Sequence, residues 1–193
     1  MAIHVLGFSG SLRKDSYNTA ALRAARELLP DVMRLELFDL GNIPAYNDDK
    51  RGAGFPDGVV AFRRKISEAD ALLIATPEYN FSIPGVLKNA IDWASRPDQD
   101  GHLPLNWKPI AIMGVTTGMF GTVRAQMHLR QVFVYTNSYL VNKPEVLIAL
   151  ARQKFDDQGR LTDQASRGFL RDLLISLVDL TQRLRAPQVS AVH

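Results

Sequence analysis

Short, almost continuous apolar runs recur along the chain, and each is followed by a stretch with helical spacing. The clearest runs are IHVLGF at Ile3–Phe8, ALLIAT at Ala71–Thr76 and KPIAIMGVT at residues 108–116. Runs of this length, bounded by polar residues, are typical of strands that are buried on both faces. Such strands pair in parallel and need helices on both sides of the sheet. The pattern therefore predicts an α/β fold on a parallel sheet.

The segments between these runs complete an alternation of strand and helix along the whole chain. Asn18 is predicted to cap the first helix, and Pro30 to end it. Two further strands are expected, MRLELFDL from Met33 and a fifth near Ser138–Val141. The predicted helices are residues 18–30, 59–70, 84–95, 121–135 and 161–185. The last helix carries its core leucines at helical spacing, namely Leu170, Leu173, Leu174, Leu177 and Leu180.

The chain is long enough for one domain with a full core, because it has 193 residues of which 46% are hydrophobic. We expect a single domain over residues 1–185 and a flexible tail over residues 186–193. Residues 41–58, rich in Gly, Pro, Asn and Asp, are predicted to form a long loop. No apolar run is long enough to span a bilayer, and no signal-peptide pattern is present.

Residue types and charge exclude several classes of function. The absence of cysteine excludes disulfides, a catalytic thiol, thiolate zinc sites and Cys-ligated clusters, and with no export signal we expect a cytoplasmic protein. The net charge is +3, and the densest basic cluster, FRRK at Phe62–Lys65, is expected to be a solvated helix face. No nucleic-acid recognition module accompanies it. The scattered histidines have no metal-ligand spacing, so no metal site is expected.

The segment GFSGSLRKDSYN, residues 7–18, joins the first strand to the first helix. Its backbone amides, its Ser and Asn side chains and the positive end of the helix could bind a phosphate, with Arg13 adding a charged contact. An ordinary hydroxyl-capped turn remains an equal alternative for this loop alone. It is not a dinucleotide fingerprint, because Ser9 and Leu12 replace the second and third glycines, and it lacks the Gly-Lys-Ser/Thr of a Walker loop. A nucleophile elbow fails because Ser11 replaces its last glycine.

Two more loops follow the third and fourth strands. PEYNFSIPG, Pro77–Gly85, has the composition of a tight turn, and TTGMFGTVRAQ, Thr116–Gln126, has glycines that permit close backbone approach. Because the carboxyl ends of parallel strands meet at one edge, all three loops should open on the same side. Glu78 has no evident acid–base partner, so we expect it to organise its loop. Together the loops indicate a site for a flat ring and a phosphate.

Three segments of the chain closely resemble the NADPH-dependent FMN reductase family, in particular its bacterial chromate/quinone reductase branch. The segments are GSLRKDSYN at 10–18, TPEYNFSIPGVLKNAIDWASR at 76–96 and TTGMFGTVRAQMHLRQ at 116–131. The resemblance extends to about Arg185 and implies a flavodoxin-like three-layer sandwich with strand order 2-1-3-4-5. It also implies non-covalent FMN. The implied FMN-binding residues are Ser11, Arg13, Ser16, Tyr17, Asn18, Pro77, Glu78, Tyr79, Asn80, Phe81, Thr116, Thr117 and Gly118.

The family resemblance further implies a reaction. NADPH or NADH passes hydride to flavin N5, and quinones, free flavin, chromate or azo compounds then take the electrons in a ping-pong cycle without a catalytic side chain. A homodimer or homotetramer is implied, with residues 123–134 and the NKPE segment at the interface and Arg124 and Glu145 as contacts. Two alternatives stay open: a non-enzymatic flavodoxin-type electron carrier, which is usually acidic on its binding face, and a flavin-binding regulatory protein.

Overall fold

A computed structural model describes residues 2–52 and 54–185, and the tail expected at 186–193 lies outside these residues. One six-stranded sheet forms the centre of the molecule, with β2-β1-β3-β4-β5 in order, β6 also paired to β4, and every pairing parallel. The predicted strand order is therefore confirmed. The strands are β1 Ile3–Ser9, β2 Met33–Phe38, β3 Ala71–Ala75, β4 Pro109–Val115, β5 Tyr139–Leu140 and β6 Val146–Ile148.

Helices cover both faces of the sheet, as the buried runs predicted. α1 and α7 pack on one face, and α3, α4 and α5 pack on the other. Neighbouring strand residues alternate between the two cores, so Val5 faces α1 while Leu6 faces α3. The helices are α1 Tyr17–Glu27, α2 Asp48–Gly52, α3 Asp57–Glu68, α4 Gly85–Ala94, α5 Val123–Tyr135, α6 Ala151–Lys154 and α7 Gln164–Arg185, with a 3₁₀ turn at Leu40–Asn42.

The fifth position of the sheet is divided between two short strands. β5 pairs with the beginning of β4, and β6 pairs with its last three residues. The sequence predicted one strand near Ser138–Val141 and missed β6, because a three-residue strand after the proline-containing NKPE segment carries no readable pattern. β6 matters for the site, since it extends the pairing of β4 to the carboxyl edge of the sheet.

The predicted cap of α1 is wrong by two residues. Ser16 is the N-cap, and its hydroxyl accepts a hydrogen bond from the Thr19 amide at 3.4 Å. Asn18 is buried within the helix, where its Nδ2 donates to the Val115 carbonyl at 3.0 Å and its Oδ1 accepts from the Val115 amide at 2.9 Å. Asn18 therefore ties the start of α1 to the end of β4.

The predicted solvated face at Phe62–Lys65 is also partly wrong. Arg63 is buried, and its guanidinium donates to the carbonyls of Trp93 (3.2 Å), Ala94 (3.1 Å) and His102 (3.1 Å). Burial lowers the pKa of Arg63. Because the last carbonyls of a helix have no partners within it, Arg63 supplies hydrogen bonds to those of Trp93 and Ala94 at the end of α4.

One cluster of charged side chains joins β1, β2 and α3. His4 Nε2 lies 3.1 Å from Glu36 Oε2, and Lys65 donates to the same carboxylate at 2.8 Å. This hydrogen bond from Lys65 lowers the pKa of Glu36. Across residues 2–52 and 54–185, no group of His, Asp or Glu is arranged to hold a metal, and no helix has the length and apolarity to cross a bilayer.

Candidate functional site

The three loops predicted to bind a ligand open on the carboxyl edge of the sheet. β1, β3 and β4 are neighbours in parallel register, with Ser9 opposite Ala75 and Ala75 opposite Met113. We call the segments that follow them the β1 loop (residues 10–16), the β3 loop (76–84) and the β4 loop (116–122). In open parallel sheets this edge is where ligands bind.

The β1 loop is held by hydrogen bonds to β3, to β1 and within the loop itself. The Gly10 amide donates to Ala75 O at 2.9 Å, the Ser11 amide to Ser9 Oγ at 3.1 Å, and the Ser16 amide to Arg13 O at 3.1 Å. Because Ser16 caps α1, its hydroxyl is engaged within the protein. Arg13 is exposed, with its guanidinium at the Asp15 carbonyl and 5.9 Å from the centre of the Tyr17 ring.

The β3 loop contains a tight hairpin turn with two residues at its tip. Tyr79 and Ser82 exchange backbone hydrogen bonds of 3.1 and 3.0 Å, and the residues between them, Asn80 and Phe81, have φ of 51° and 62°. Asn tolerates this left-handed region, whereas it is costly for Phe. Phe81 lies at the surface, where 65% of its side chain is exposed. Strained backbone of this kind is concentrated at binding sites.

Glu78 joins the β3 loop to α5. Its Oε2 accepts hydrogen bonds from the amides of Arg124 (2.9 Å) and Ala125 (3.2 Å), and its Oε1 accepts from Arg124 Nη1 at 3.1 Å. Thr122, the N-cap of α5, makes no side-chain capping bond. Glu78 therefore supplies the cap from another loop, which confirms the expectation that it organises this region.

The β4 loop is fixed against the chain that follows β6. The Thr116 amide donates to Ile148 O at 2.9 Å, the Leu150 amide to Gly118 O at 2.9 Å, and the Ala151 amide to Thr116 O at 3.1 Å. A Cβ placed on Gly118 would meet nothing nearer than Thr116 Oγ1 at 3.7 Å, so open space lies above this backbone. Those contacts show how β6, which sequence reasoning missed, positions the loop.

A cavity of about 220 Å³ lies between the β3 and β4 loops. Its walls are flat and partly apolar, because the Arg124 guanidinium lies 4.1 Å from the ring centre of Phe81 and 4.5 Å from that of Phe120. Met119 and Phe120 are 78% and 61% exposed at its rim. Sequence reasoning did not single out these last two residues, although large apolar side chains beside a loop glycine could have indicated them.

The structure separates the predicted site residues into groups. Glu78, Asn80, Phe81, Thr116 and Gly118 line the cavity between the β3 and β4 loops. Ser11 and Arg13 line a second cavity beside the β1 loop. Ser16 and Asn18 use their side chains to hold α1 in place. The predicted residues that line neither cavity are Ser16, Tyr17, Asn18, Pro77, Tyr79 and Thr117.

This donor set fits a ligand that combines a phosphate with a flat ring. The start of α1, the Ser11 hydroxyl and the Arg13 guanidinium are donors suited to a phosphate. The cavity with planar walls lies two strands away at the same edge, beside the backbone of Asn80 and Gly118. A phosphorylated flavin has both parts, so the residues present fit FMN.

Comparison with known proteins identifies related sequences over nearly the whole chain. The sequence model described as "NADPH-dependent FMN reductase" matches residues 3–153. The chain is 53% identical to an NAD(P)H-dependent FMN reductase of Pseudomonas aeruginosa, covering 95% of this chain and 97% of the relative. It is 44% identical to an NADPH:quinone oxidoreductase of Arabidopsis thaliana, covering 95% and 94% respectively.

A solved structure agrees with the sequence comparisons. FerB, described as a flavoenzyme NAD(P)H:(acceptor) oxidoreductase from Paracoccus denitrificans, superposes with a TM-score of 0.85 at 33% identity. The superposition covers 94% of this chain and 98% of FerB. The similarity of fold therefore extends over nearly the whole chain.

Proposed function

The chain belongs to the NADPH-dependent FMN reductase family, and on this premise we propose that it is an FMN-dependent NAD(P)H:quinone oxidoreductase. One observation carries the proposal. A flat-walled cavity between the β3 and β4 loops shares the sheet edge with a β1 loop that offers phosphate donors. A ring placed in that cavity keeps a face open to solvent, where a second planar molecule can stack.

We propose that the β1 loop and the start of α1 anchor the FMN phosphate. Ser11 and Arg13 contact it directly, together with the first amides of α1 near Tyr17. Ser16 and Asn18 act by fixing α1 at the angle that presents those amides. The role of these residues is to hold the ligand, and none of them takes part in bond making.

The β3 and β4 loops hold the ring in this proposal. Glu78, Asn80 and Phe81 of the β3 loop and Thr116 and Gly118 of the β4 loop line the cavity. Backbone amides of these two loops would stabilise negative charge on a reduced ring. Bound FMN supplies the hydride-accepting chemistry. Phe81 and Phe120 pack on the Arg124 guanidinium as a wall of the cavity. Glu78 holds the β3 loop to the start of α5.

We propose that NAD(P)H and the acceptor use the same open face in turn, which predicts ping-pong kinetics. The open rim, with Met119 and Phe120 exposed, supports loose acceptor specificity that extends from quinones to free flavin, chromate and azo compounds. Initial rates at several acceptor concentrations should give parallel double-reciprocal lines. Intersecting lines would require both substrates on the enzyme at once and would contradict the shared face.

A flavodoxin-type carrier is the alternative that shares this fold. Such carriers exchange electrons with protein partners, usually through an acidic face, whereas this chain has a pI of about 9.3. Oxidation of NADPH in the absence of any protein partner separates the two functions. Binding of FMN with no electron transfer to any acceptor or protein partner would instead favour the regulatory alternative.

We also propose that the enzyme self-associates, as a dimer or tetramer, through α5. Met127, Val134 and Tyr135 on this helix are 55%, 77% and 75% exposed. Arg124, expected at the interface, pairs with Glu78 of its own chain, and Glu145 pairs with Lys143 at 3.6 Å. A cytoplasmic location is part of the proposal, supported by a sequence without cysteine.

The experiment that tests the function uses purified protein supplied with FMN during expression. We expect a yellow protein that oxidises NADPH or NADH with a soluble benzoquinone as acceptor. A colourless protein that gains no activity when FMN is added would contradict the proposal. Protein that retains FMN but does not oxidise either nucleotide would leave the carrier and regulatory alternatives.

Replacing Arg13 by alanine tests the phosphate anchor. The loss of one charge-assisted contact should raise the Kd for FMN about 10- to 100-fold, with little change in kcat once FMN is saturating. Fluorescence titration of the apoprotein with FMN measures the first quantity, and steady-state rates measure the second. Arg26→Ala, an exposed residue at the end of α1, is the control. An equal loss of kcat at saturating FMN would contradict an anchoring role.

A further inference from the structure

A second cavity lies on the other side of the β1 loop from the ring cavity. It has a volume of about 290 Å³ and is enclosed by residues 11–14 of the loop, by one face of α1 and by the end of β2. It has no lining residue in common with the cavity between the β3 and β4 loops. The two cavities therefore flank the β1 loop along a single edge of the sheet.

The lining of this second cavity combines positive charge with an apolar floor. Arg13 and Lys14 come from the loop, and Arg23 comes from α1, where Thr19 lies on the same face four residues earlier. The floor consists of Leu12, Leu22, Leu37 and Phe38. Cations over apolar surface suit an anionic group that is attached to a planar, weakly polar body.

The cations of the cavity are available to a ligand. Lys14 and Arg23 are exposed. Within residues 2–52 and 54–185, neither of them forms an ion pair with a carboxylate. Most other basic side chains on the helices in these ranges do have an acidic partner. Asp39 is the acid of the lining, and its Oδ1 accepts a hydrogen bond from the Gly41 amide at 2.9 Å. The excess charge of the lining is therefore positive.

We propose that this cavity binds the adenosine 2′-phosphate half of NADPH, with Lys14 and Arg23 on the 2′-phosphate and the apolar floor beneath the adenine. The proposal rests on the function proposed above. Two strand spacings separate the middle of this cavity from the middle of the ring cavity, which is on the order of 10 Å. A dinucleotide with its nicotinamide at the ring cavity spans such a distance.

The residues proposed for the 2′-phosphate, Lys14 and Arg23, differ from the proposed FMN anchor residues Ser11 and Arg13, although all four line the second cavity. The FMN phosphate belongs at the first amides of α1, beside Tyr17. Arg23 lies six residues further along α1, which is about 9 Å along the helix axis. Arg23 therefore lies more than one helical turn beyond the start of α1, and it lines the second cavity together with Lys14.

The double variant Lys14→Gln/Arg23→Gln tests the proposal, with Arg26→Gln as the matched control. Arg23 and Arg26 are both exposed on α1, but Arg26 does not line the cavity. In the double variant, the ratio of kcat/KM for NADPH to that for NADH should fall by about tenfold or more, because NADH has no 2′-phosphate to lose a partner. The control should keep the ratio of the unaltered protein.

Direct binding provides a readout that does not depend on turnover. Calorimetry on FMN-loaded protein should show adenosine 2′,5′-bisphosphate binding more tightly than adenosine 5′-monophosphate, and the double variant should lose this preference. Equal binding of the two nucleotides, or an unchanged NADPH/NADH ratio in the double variant, would overturn the proposal. A double variant that loses affinity for FMN would also overturn it, because the cavity would then belong to the FMN site.

Failure of the proposed function gives a different result. A protein that binds FMN but oxidises neither NADPH nor NADH refutes the reductase assignment, whatever the bisphosphate does. If the protein oxidises both nucleotides and the substitutions at Lys14 and Arg23 leave its preference unchanged, the reductase function stands and only the proposed 2′-phosphate site is refuted.

Discussion

Gly114→Ala is expected to destabilise the folded chain by about 3 kcal/mol or more and to abolish retention of FMN. A Cβ at this position of β4 would lie 1.8 Å from Thr122 Oγ1 and 2.6 Å from the backbone oxygen of Thr76. Rotation of the Thr122 side chain would move its Oγ1 but not its Cβ, which would lie 2.8 Å away. The Thr76 carbonyl begins the β3 loop and cannot retreat without moving it. The added methyl group thus pushes apart the two loops that enclose the ring cavity.

Chemical denaturation followed by circular dichroism measures this loss, and Gly168→Ala is the matched control. Gly168 lies within α7, and a Cβ there would meet no atom within 4 Å. The same substitution should stabilise the chain at this position by about 0.5–1 kcal/mol, because alanine loses less backbone entropy than glycine in a helix. Similar effects of the two substitutions would contradict the close approach of β4 to both loops.

Glu78→Ala should weaken FMN binding about 100-fold and lower the free energy of unfolding by about 2–3 kcal/mol. The carboxylate is nearly buried, with 10% of the side chain exposed, and it bonds two amides of α5 and the Arg124 guanidinium. Its removal leaves these donors without a partner and releases Arg124 from its place between Phe81 and Phe120. Helix α5 then loses its cap, and the ring cavity loses one wall.

Titration with FMN and denaturation measure the two effects of Glu78→Ala, and Glu68→Ala is the control. Glu68 forms exposed pairs with Arg64 at 3.9 Å and Lys65 at 3.7 Å, and its loss should change the free energy of unfolding by less than about 0.5 kcal/mol. An effect at Glu78 no larger than at Glu68 would show that the carboxylate does not organise the site.

The parts of the fold that sequence could predict depend on local patterns. The buried runs that became β1, β3 and β4 identify the centre of a parallel sheet, and the edge rule then brings the loops after them together. The order of the strands came from the family resemblance, and the sheet confirmed it. Glycine, proline and hydroxyl residues after each run were enough to indicate where a ligand could bind.

The parts that sequence could not predict depend on contacts between distant segments. The local pattern predicts Asn18 as a helix cap, yet its side-chain amide donates a hydrogen bond to the backbone carbonyl of Val115, which is 97 residues away. The local pattern predicts Arg63 as a surface cation, yet its guanidinium donates a hydrogen bond to the Trp93 carbonyl at the end of α4, about 30 residues further on. β6 is too short to carry a pattern, although it fixes the β4 loop. In each case the decisive partner lies on another element, and no local spacing indicates it.

Anaerobic mixing of the FMN-loaded protein with NADPH in a stopped-flow instrument tests whether the ring cavity admits a hydride donor to bound FMN. We expect the visible absorbance of the bound flavin to be lost in a single turnover, and a benzoquinone added without NADPH to restore it. Flavin absorbance that persists in the presence of excess NADPH and excess NADH would refute the reductase function, because the open face of the ring cavity would then admit no hydride donor.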